Sequence, residues 1–333
     1  MHAHLKHLTP SRLRFLIQTG FTLFCLYAGY RFHFFCLWAT GQSSTMVAKP
    51  GAVEGFLPIS ALLGLKQLLL TGVYDPVHPA GLTIFLAVLA MALLFRKGFC
   101  GYVCPVGFLS SLLEKTGRAL GLTRVLPRKV EYGLRSIKYV LLGFFLYFIG
   151  IGMSLPAVRA FLTSPYNLTA DARMLDFFLH PSPLALVILA GLGVAALVIP
   201  YAWCRFLCPY GGLLGLLALL GPVAVHRKHE SCTGCGKCEA VCPGAFRIRK
   251  AARINSPECV GCLQCVQTCP VKDALAPRYA GGNRIIPWPA IGIGAVTVLL
   301  LFYGVARLTG HWDPSFPPDM LKRFYSMFPS MPG

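Results

Sequence analysis

The sequence predicts a mainly α, five-span helical membrane protein with an α+β, cysteine-rich module inserted between the fourth and fifth spans. Three observations point there. Of 333 residues, 55% are hydrophobic and only 13% are charged, about half the roughly 25% of an average soluble protein. The apolar residues come in membrane-length runs. The 31 Lys and Arg against 12 Asp and Glu leave a net charge of +19, and those cations are unevenly spread along the chain. Hydrophobicity excludes intrinsic disorder, and length excludes a small disulfide-stapled secreted domain. The membrane-length runs argue against a basic soluble nucleic-acid binder.

A helix needs about 20 apolar residues to cross a ~30 Å core. Residues 1–12 read as an N-terminal tail with solvated His2, His4 and His7. A membrane domain follows over 13–226, with spans near 13–30, 80–95, 139–155 and 183–203. The first has no small-x-small cleavage site and runs into Arg31-Phe32-His33-Phe34-Phe35, unlike a signal peptide. Phe56–Leu70 is interrupted by Pro58, Lys66 and Gln67, so it reads as an interfacial or re-entrant helix. Gly211–Val225 is too short to cross, about 22 Å at 1.5 Å per residue. The module occupies 227–286, the fifth span 287–305 and an outer tail 306–333. With the N-terminus inside, the inner segments hold 23 Lys and Arg and the outer segments 7, as the positive-inside rule requires. Arg31, at the end of the first span, reads as a snorkelling anchor.

The module carries the strongest signal. Cys232-x2-Cys235-x2-Cys238-x3-Cys242-Pro243 is followed by Cys259-x2-Cys262-x2-Cys265-x3-Cys269-Pro270. This is the two-cluster bacterial ferredoxin pattern, in which the fourth cysteine of each run ligates the other cluster. Cluster 1 is therefore expected on Cys232, Cys235, Cys238 and Cys269, and cluster 2 on Cys259, Cys262, Cys265 and Cys242. Zinc sites use separated Cys pairs rather than a tight triplet plus one. Gly234, Gly236 and Gly261 let backbone N–H groups approach the sulfurs. Ala245–Ile248 and Ala274-Leu275 are expected as flanking strand residues of this 27-residue duplication.

A second cysteine group occurs twice. Cys100-x3-Cys104-Pro105 ends span two and Cys204-x3-Cys208-Pro209 ends span four. Each is followed by a Gly-containing apolar helix, so the repeat is span, C-x3-C-P, re-entrant or interfacial helix. At i, i+4 on a helix the two thiols of a pair face the same way. Four thiolates could bind a third metal centre, iron–sulfur or copper, or serve as reversible dithiols or structural helix-end cysteines. Cys25 and Cys36, about 16 Å apart on one helix, are too distant for a disulfide and read as packed thiols.

These motifs resemble the bacterial membrane-bound polyferredoxins: the quinol-dehydrogenase subunit of periplasmic nitrate reduction (NapH type), NosR and CcoG. The similarity runs from about residue 13 to 308. Glu54-Gly55-Phe56-Leu57-Pro58, Tyr74-Asp75-Pro76-Val77-His78-Pro79 and Ser164-Pro165-Tyr166-Asn167 resemble the stand-alone 4Fe-4S binding membrane proteins most closely. The resemblance implies electron transfer in a bacterial cytoplasmic membrane, with quinol or a redox partner as donor. That partner would be a cytochrome, a ferredoxin or a respiratory enzyme subunit. Quinol chemistry needs groups that take protons near an interface, and the outer side offers Asp75, His78, Arg31 and His33. The alternative is an assembly or regulatory protein of CcoG or NosR type. The basic stretch Arg247–Arg253 faces solvent or lipid headgroups, or docks an acidic carrier. No hydrolase triad, phosphate loop or HExxH motif is present. A place in a quinol dehydrogenase is left open.

Overall fold

The structure, a computed structural model, describes residues 9–279 and 284–326. His2, His4 and His7 and the end of the outer tail lie outside the described residues. Proline opens most of the longer helices: α1 (Pro10–Ala39), α2 (Pro58–Thr71), α3 (Pro79–Phe95) and α4 (Pro105–Ala119) all begin on it. At that position its missing N–H costs nothing and its fixed φ suits the helix. The chain continues through α5 (Arg128–Tyr147), α6 (Leu155–Leu162), α7 (Pro165–Leu168), α8 (Ala170–Leu179), α9 (Pro183–Val198) and α10 (Pro209–Leu220). The cysteine-rich module adds β1 (Val223–Arg227), α11 (Lys237–Ala240), β2 (Arg253–Ile254), α12 (Gln264–Thr268) and β3 (Leu275–Tyr279). Two helices close the chain, α13 (Pro289–Leu308) and α14 (Pro318–Ser326).

Every segment nominated as a span is largely helical, but the bounds differ. Among the described residues two helices are long and apolar enough to cross a membrane, Arg128–Gly152 and Pro289–Leu308, or three if α8 and α9, bent by 79°, count as one. The third nominated segment, 139–155, in fact starts eleven residues earlier. Arg135 pairs with Glu131 at 2.5 Å one turn away, and this carries the helix through its charged end. It ends in a π turn, Phe148–Gly152. The fourth, 183–203, stops at Val198, and Tyr201 follows in the left-handed region at φ 57°.

The chain divides into two compact units, and the division falls inside α1, α3, α5, α9 and α13. The first unit holds residues up to Thr22, Val88–Leu142 and Leu189–Val298. Its sheet has the order β2-β1-β3, all antiparallel, with Val225 opposite both Ile254 and Pro277. Val223, Ala224 and Val225 are buried, as are Ala274–Ala276 opposite. Ala245–Ile248, expected as strand, is loop leading into a 3-10 turn at Ile248–Lys250. Arg253-Ile254 takes the strand position instead. Val223–Val225, read as the end of an apolar helical stretch, belongs to β1.

The second unit holds Leu23–Ala87, Gly143–Ile188 and Leu299–Gly333. The aromatic run after Arg31 is its core, not a membrane flank. Phe32, Phe35, Cys36 and Trp38 pack with Val53, Leu321 and Tyr325, which explains why α1 continues to Ala39. Cys36 is buried and, like Cys25, free. The interruption in α2 has a structural use. Lys66 donates to the carbonyls of Ile149, Gly150 and Met153 at 2.8, 2.9 and 2.6 Å, satisfying the open carbonyls of the π turn.

Candidate metal centres

The two ferredoxin-type runs fold as backbone repeats. Gly234 and Gly261 share φ near +70°, and Gly236 and Leu263, 27 residues apart, open α11 and α12 in the same left-handed conformation. Such turns aim consecutive N–H groups at the ligand sulfurs. Cys232, Cys235, Cys238 and Cys269 line one cleft together with Arg227 and Arg249. Cys242 comes from the first run, yet it lies in electrostatic range of Cys259 and Cys262, and Cys265 in range of all three. These neighbours are the ones a crossed pairing would use.

The two sets sit in different surroundings. Cys235 is exposed and Cys262 is buried. The Gly234 N–H and the Arg227 side chain hold the Cys232 thiol below its usual range, and the Lys237 N–H does the same for Cys235. Burial instead pushes Cys262 up, and pushes Cys242 up to about 12 with help from neighbouring sulfurs. Four convergent sulfurs and amide-lined turns fit an iron–sulfur cluster in each set.

The C-x3-C-P pairs also converge. Cys104 lies in electrostatic range of Cys100, Cys204 and Cys208. The two thiols of a pair do not share a helix face, however. Cys100 and Cys204 sit in π turns, Phe99–Val103 and Trp203–Leu207, while Cys104 and Cys208 are extended N-caps of α4 and α10. Each N-cap sulfur accepts the N–H of the glycine three residues on: Gly107 for Cys104, and Gly211 at 3.3 Å for Cys208. The sulfur takes the place of a capping oxygen, and the positive end of each helix faces it. Burial pushes the Cys100 and Cys204 thiols up to about 12 and about 11, with Lys97 acting against it. Among the described residues no three His, Cys, Asp or Glu are arranged to hold a single metal ion.

The 255–261 loop is seated on the first of these turns and on α5. Arg96 donates to Asn255 at 2.5 Å and to the Ser256 carbonyl at 2.8 Å. Lys138 and Tyr139 donate to the two carboxylate oxygens of Glu258 at 2.5 and 2.8 Å, and Tyr102 to the Gly261 carbonyl at 3.4 Å. Arg14, buried, donates to the Gly101 carbonyl at 2.8 Å and to the Tyr201 hydroxyl, within electrostatic range of Cys262. Lys97 is 2% exposed and close to Lys138, Glu258, Cys100 and Cys204. In the sequence these cations counted only toward topology.

Backbone contact is just as close. A Cβ on Gly101 would fall on the Val260 carbonyl oxygen, and one on Gly215 on the Pro257 carbonyl oxygen. Gly101→Ala and Gly215→Ala should each cost about 1–3 kcal/mol by overpacking. Gly133→Ala, with nothing within 4 Å, should be neutral or slightly stabilising. Thermal unfolding in detergent would show it.

Of the proton-handling candidates, the structure joins Asp75 and His78 but not the others. The Asp75 carboxylate accepts the N–H groups of Val77 and His78 at 2.9 and 3.2 Å. The His78 ring lies 3.2 Å from Glu54 and 2.7 Å from the Asn167 carbonyl. Lys49 bridges Glu54 and Asp171 at 3.0 and 2.7 Å, and Tyr325 donates to Asp171 at 2.8 Å. Arg31 is exposed and reaches Tyr27, and His33 packs on Phe34. No hydrogen bond or ion pair joins either to this network among the described residues. Glu54 lies in the Glu54–Pro58 motif, where an acid between apolar neighbours in a chain with 12 acids is a sequence signal. Lys49 and Asp171 gave none.

The 4Fe-4S binding domain family matches residues 77–123 and 179–228, which hold the two C-x3-C-P repeats, and the 4Fe-4S dicluster domain family matches 224–270. The chain is 38% identical over 299 residues to "Putative electron transport protein YccM" of Escherichia coli (strain K12), covering 87% of this chain and 83% of that one. It is 31% identical over 224 residues to Protein NirI of Paracoccus denitrificans, covering 65% and 32%. To the ferredoxin-type protein NapH of Escherichia coli it is 27% identical over 162 residues, covering 47% and 51%. No solved structure matches. The ferredoxin cysteine pattern and the similarity across most of YccM together place the chain in the polyferredoxin family of ferredoxin-type electron transport proteins.

Proposed function

We propose that this chain relays single electrons between a membrane donor of the quinol class and a second redox protein, in a bacterial cytoplasmic membrane. The observation that carries this reading is the seating of the 255–261 loop on the first C-x3-C-P turn, α5 and α10, in the unit that holds twelve of the cysteines. Cys232, Cys235, Cys238 and Cys269 would hold one [4Fe–4S] cluster and Cys242, Cys259, Cys262 and Cys265 another. Cys100, Cys104, Cys204 and Cys208 would hold a third iron–sulfur centre, in the segments matched by a 4Fe-4S binding family. Bound there, such centres supply one-electron carriers.

The chain's own residues set the conditions. The N-termini of α4 and α10 and the buried Lys97 bring positive charge to the C-x3-C-P thiolates, and Arg14 brings it to Cys262. His78 and Asp75 would be the groups to take protons from a quinol. The excess of cations in the inner segments orients the module to the cytoplasm and the C-terminal tail to the periplasm.

Metal and acid-labile sulfide analysis of the purified chain tests this. Two module clusters give about eight irons with matching sulfide, and the third centre raises the count above that. Cys104→Ser with Cys208→Ser should remove only the excess and leave the paired [4Fe–4S]+ EPR signals. A count of eight overturns the third centre, and copper at these cysteines favours the assembly reading. Failure of any quinol to reduce an intact iron complement overturns the donor.

A further inference from the structure

The two cluster sites differ in what covers them. The Cys242, Cys259, Cys262 and Cys265 set is seated against α5 and the first C-x3-C-P turn through the Arg96, Lys138 and Tyr102 anchors. The Cys232, Cys235, Cys238 and Cys269 set lines a cleft, with Cys235 exposed. The cleft has a charged rim. Arg227 and Arg249 line it, and Lys228, Lys237, Lys250 and Lys272 are exposed, each next in sequence to a lining residue. Against these six cations stand Glu230, Glu239 and Asp273, and Glu239 is taken up by Arg249 at 3.1 Å. The net charge of the rim is positive.

We infer that this cleft is the docking surface for a small acidic electron-carrier protein, whose redox centre would come to rest against Cys232 and Cys235. The inference rests on the cluster reading above for its purpose, but the surface itself is made of residues present in the chain. Complementary charge steers such encounters and fixes their register more than it adds affinity, and exposed cations provide that without a deep apolar anchor. A lipid surface is the other anion such a rim could meet. The cleft favours a protein, because Glu230 and Asp273 interrupt the cations and the recess leaves Cys235 exposed. A headgroup layer makes use of neither.

Binding of an acidic plant-type [2Fe–2S] ferredoxin, used as probe, to the full-length chain in detergent tests the surface. Affinity should fall steeply as salt rises past 0.1 M, where screening sets in over about 10 Å. Lys228→Glu, Lys250→Glu and Lys272→Glu combined should weaken binding roughly 10-fold or more and flatten the salt dependence. Lys129→Glu, exposed on α5 outside the cleft, should change neither. Unaltered affinity in the triple variant overturns the proposal. Loss of binding to phosphatidylglycerol vesicles with ferredoxin binding retained assigns the rim to lipid and overturns it too. Iron and sulfide content read alongside separates the two readings: protein without clusters defeats the electron-relay function, while ferredoxin binding still reports on the rim.

Discussion

Lys49→Met is expected to destabilise the protein by about 3–5 kcal/mol, the range for removing one partner of a buried ion pair. Lys49 is the bridge of its network. Its side chain is 6% exposed, and those of Glu54 and Asp171 are 0% and 1%. The two carboxylates come from segments more than a hundred residues apart, and the lysine ties both. Other partners are already committed: Glu54 accepts the Gly81 N–H at 3.1 Å, and Asp171 the Ala172 N–H and the Tyr325 hydroxyl. Methionine fills the space and leaves two buried carboxylates to share one histidine. Lys129→Met, at an exposed position, should stay within about 0.5 kcal/mol.

The same network sets a pH window. Burial alone would raise the Glu54 carboxyl, but Lys49 and His78 outweigh it and hold it below 4.5. That contribution is present above the ordinary value and is lost as pH falls through the folded one. Burial alone would lower the His78 imidazole, but Glu54 outweighs it and raises it above 6.5. That contribution is full below 6.5 and is lost as pH rises through the raised value. Stability should therefore peak between these limits. In Lys49→Met the acid limb should move to higher pH, because the cation holding Glu54 ionised is gone. Melting curves from pH 3 to 9 would check this, and an unmoved acid limb would remove Glu54 as its origin.

How much of this could be read in advance depends on how local each signal is. The eight module cysteines stand out in the sequence because a cluster takes three ligands within seven residues, and that spacing is visible in one dimension. The C-x3-C-P pairs were found for the same reason, but their geometry was misjudged. The correcting signal was present: a residue before proline is driven out of the α region, and Cys104 and Cys208 have ψ of 123° and 103°. The strand at Arg253-Ile254 was missed because two residues carry no alternation; pairing with β1 defines it. The Lys49 network joins positions 49, 54, 78, 171 and 325, and no local pattern announces contacts of that range. Asp75 and His78 came forward only because they share one turn. The anchors of the second ligand loop were hidden differently, since Arg14, Lys97 and Lys138 look in sequence like ordinary inner-side cations.

Those anchors give the second large effect, and here the two halves of one ion pair should differ. Lys138 is fully buried and Glu258, 5% exposed, immediately precedes Cys259. Lys97, equally buried, faces both. Glu258→Gln removes the carboxylate that two buried lysines face, leaving like charges side by side, and should cost about 3–5 kcal/mol. Lys138→Met should cost less, because Glu258 keeps Lys97 nearby and the Tyr139 hydroxyl at 2.8 Å. In the double variant one lysine remains without its neighbour's repulsion, so the combined loss should fall short of the sum of the single losses, as coupled sites do. Glu258 also holds the loop that carries Cys259, so Glu258→Gln should lower the iron bound per chain while Lys138→Met largely retains it. Equal losses in the two single variants, with the double losing no more than either, would mean that Lys97 takes no part and that the pair acts alone.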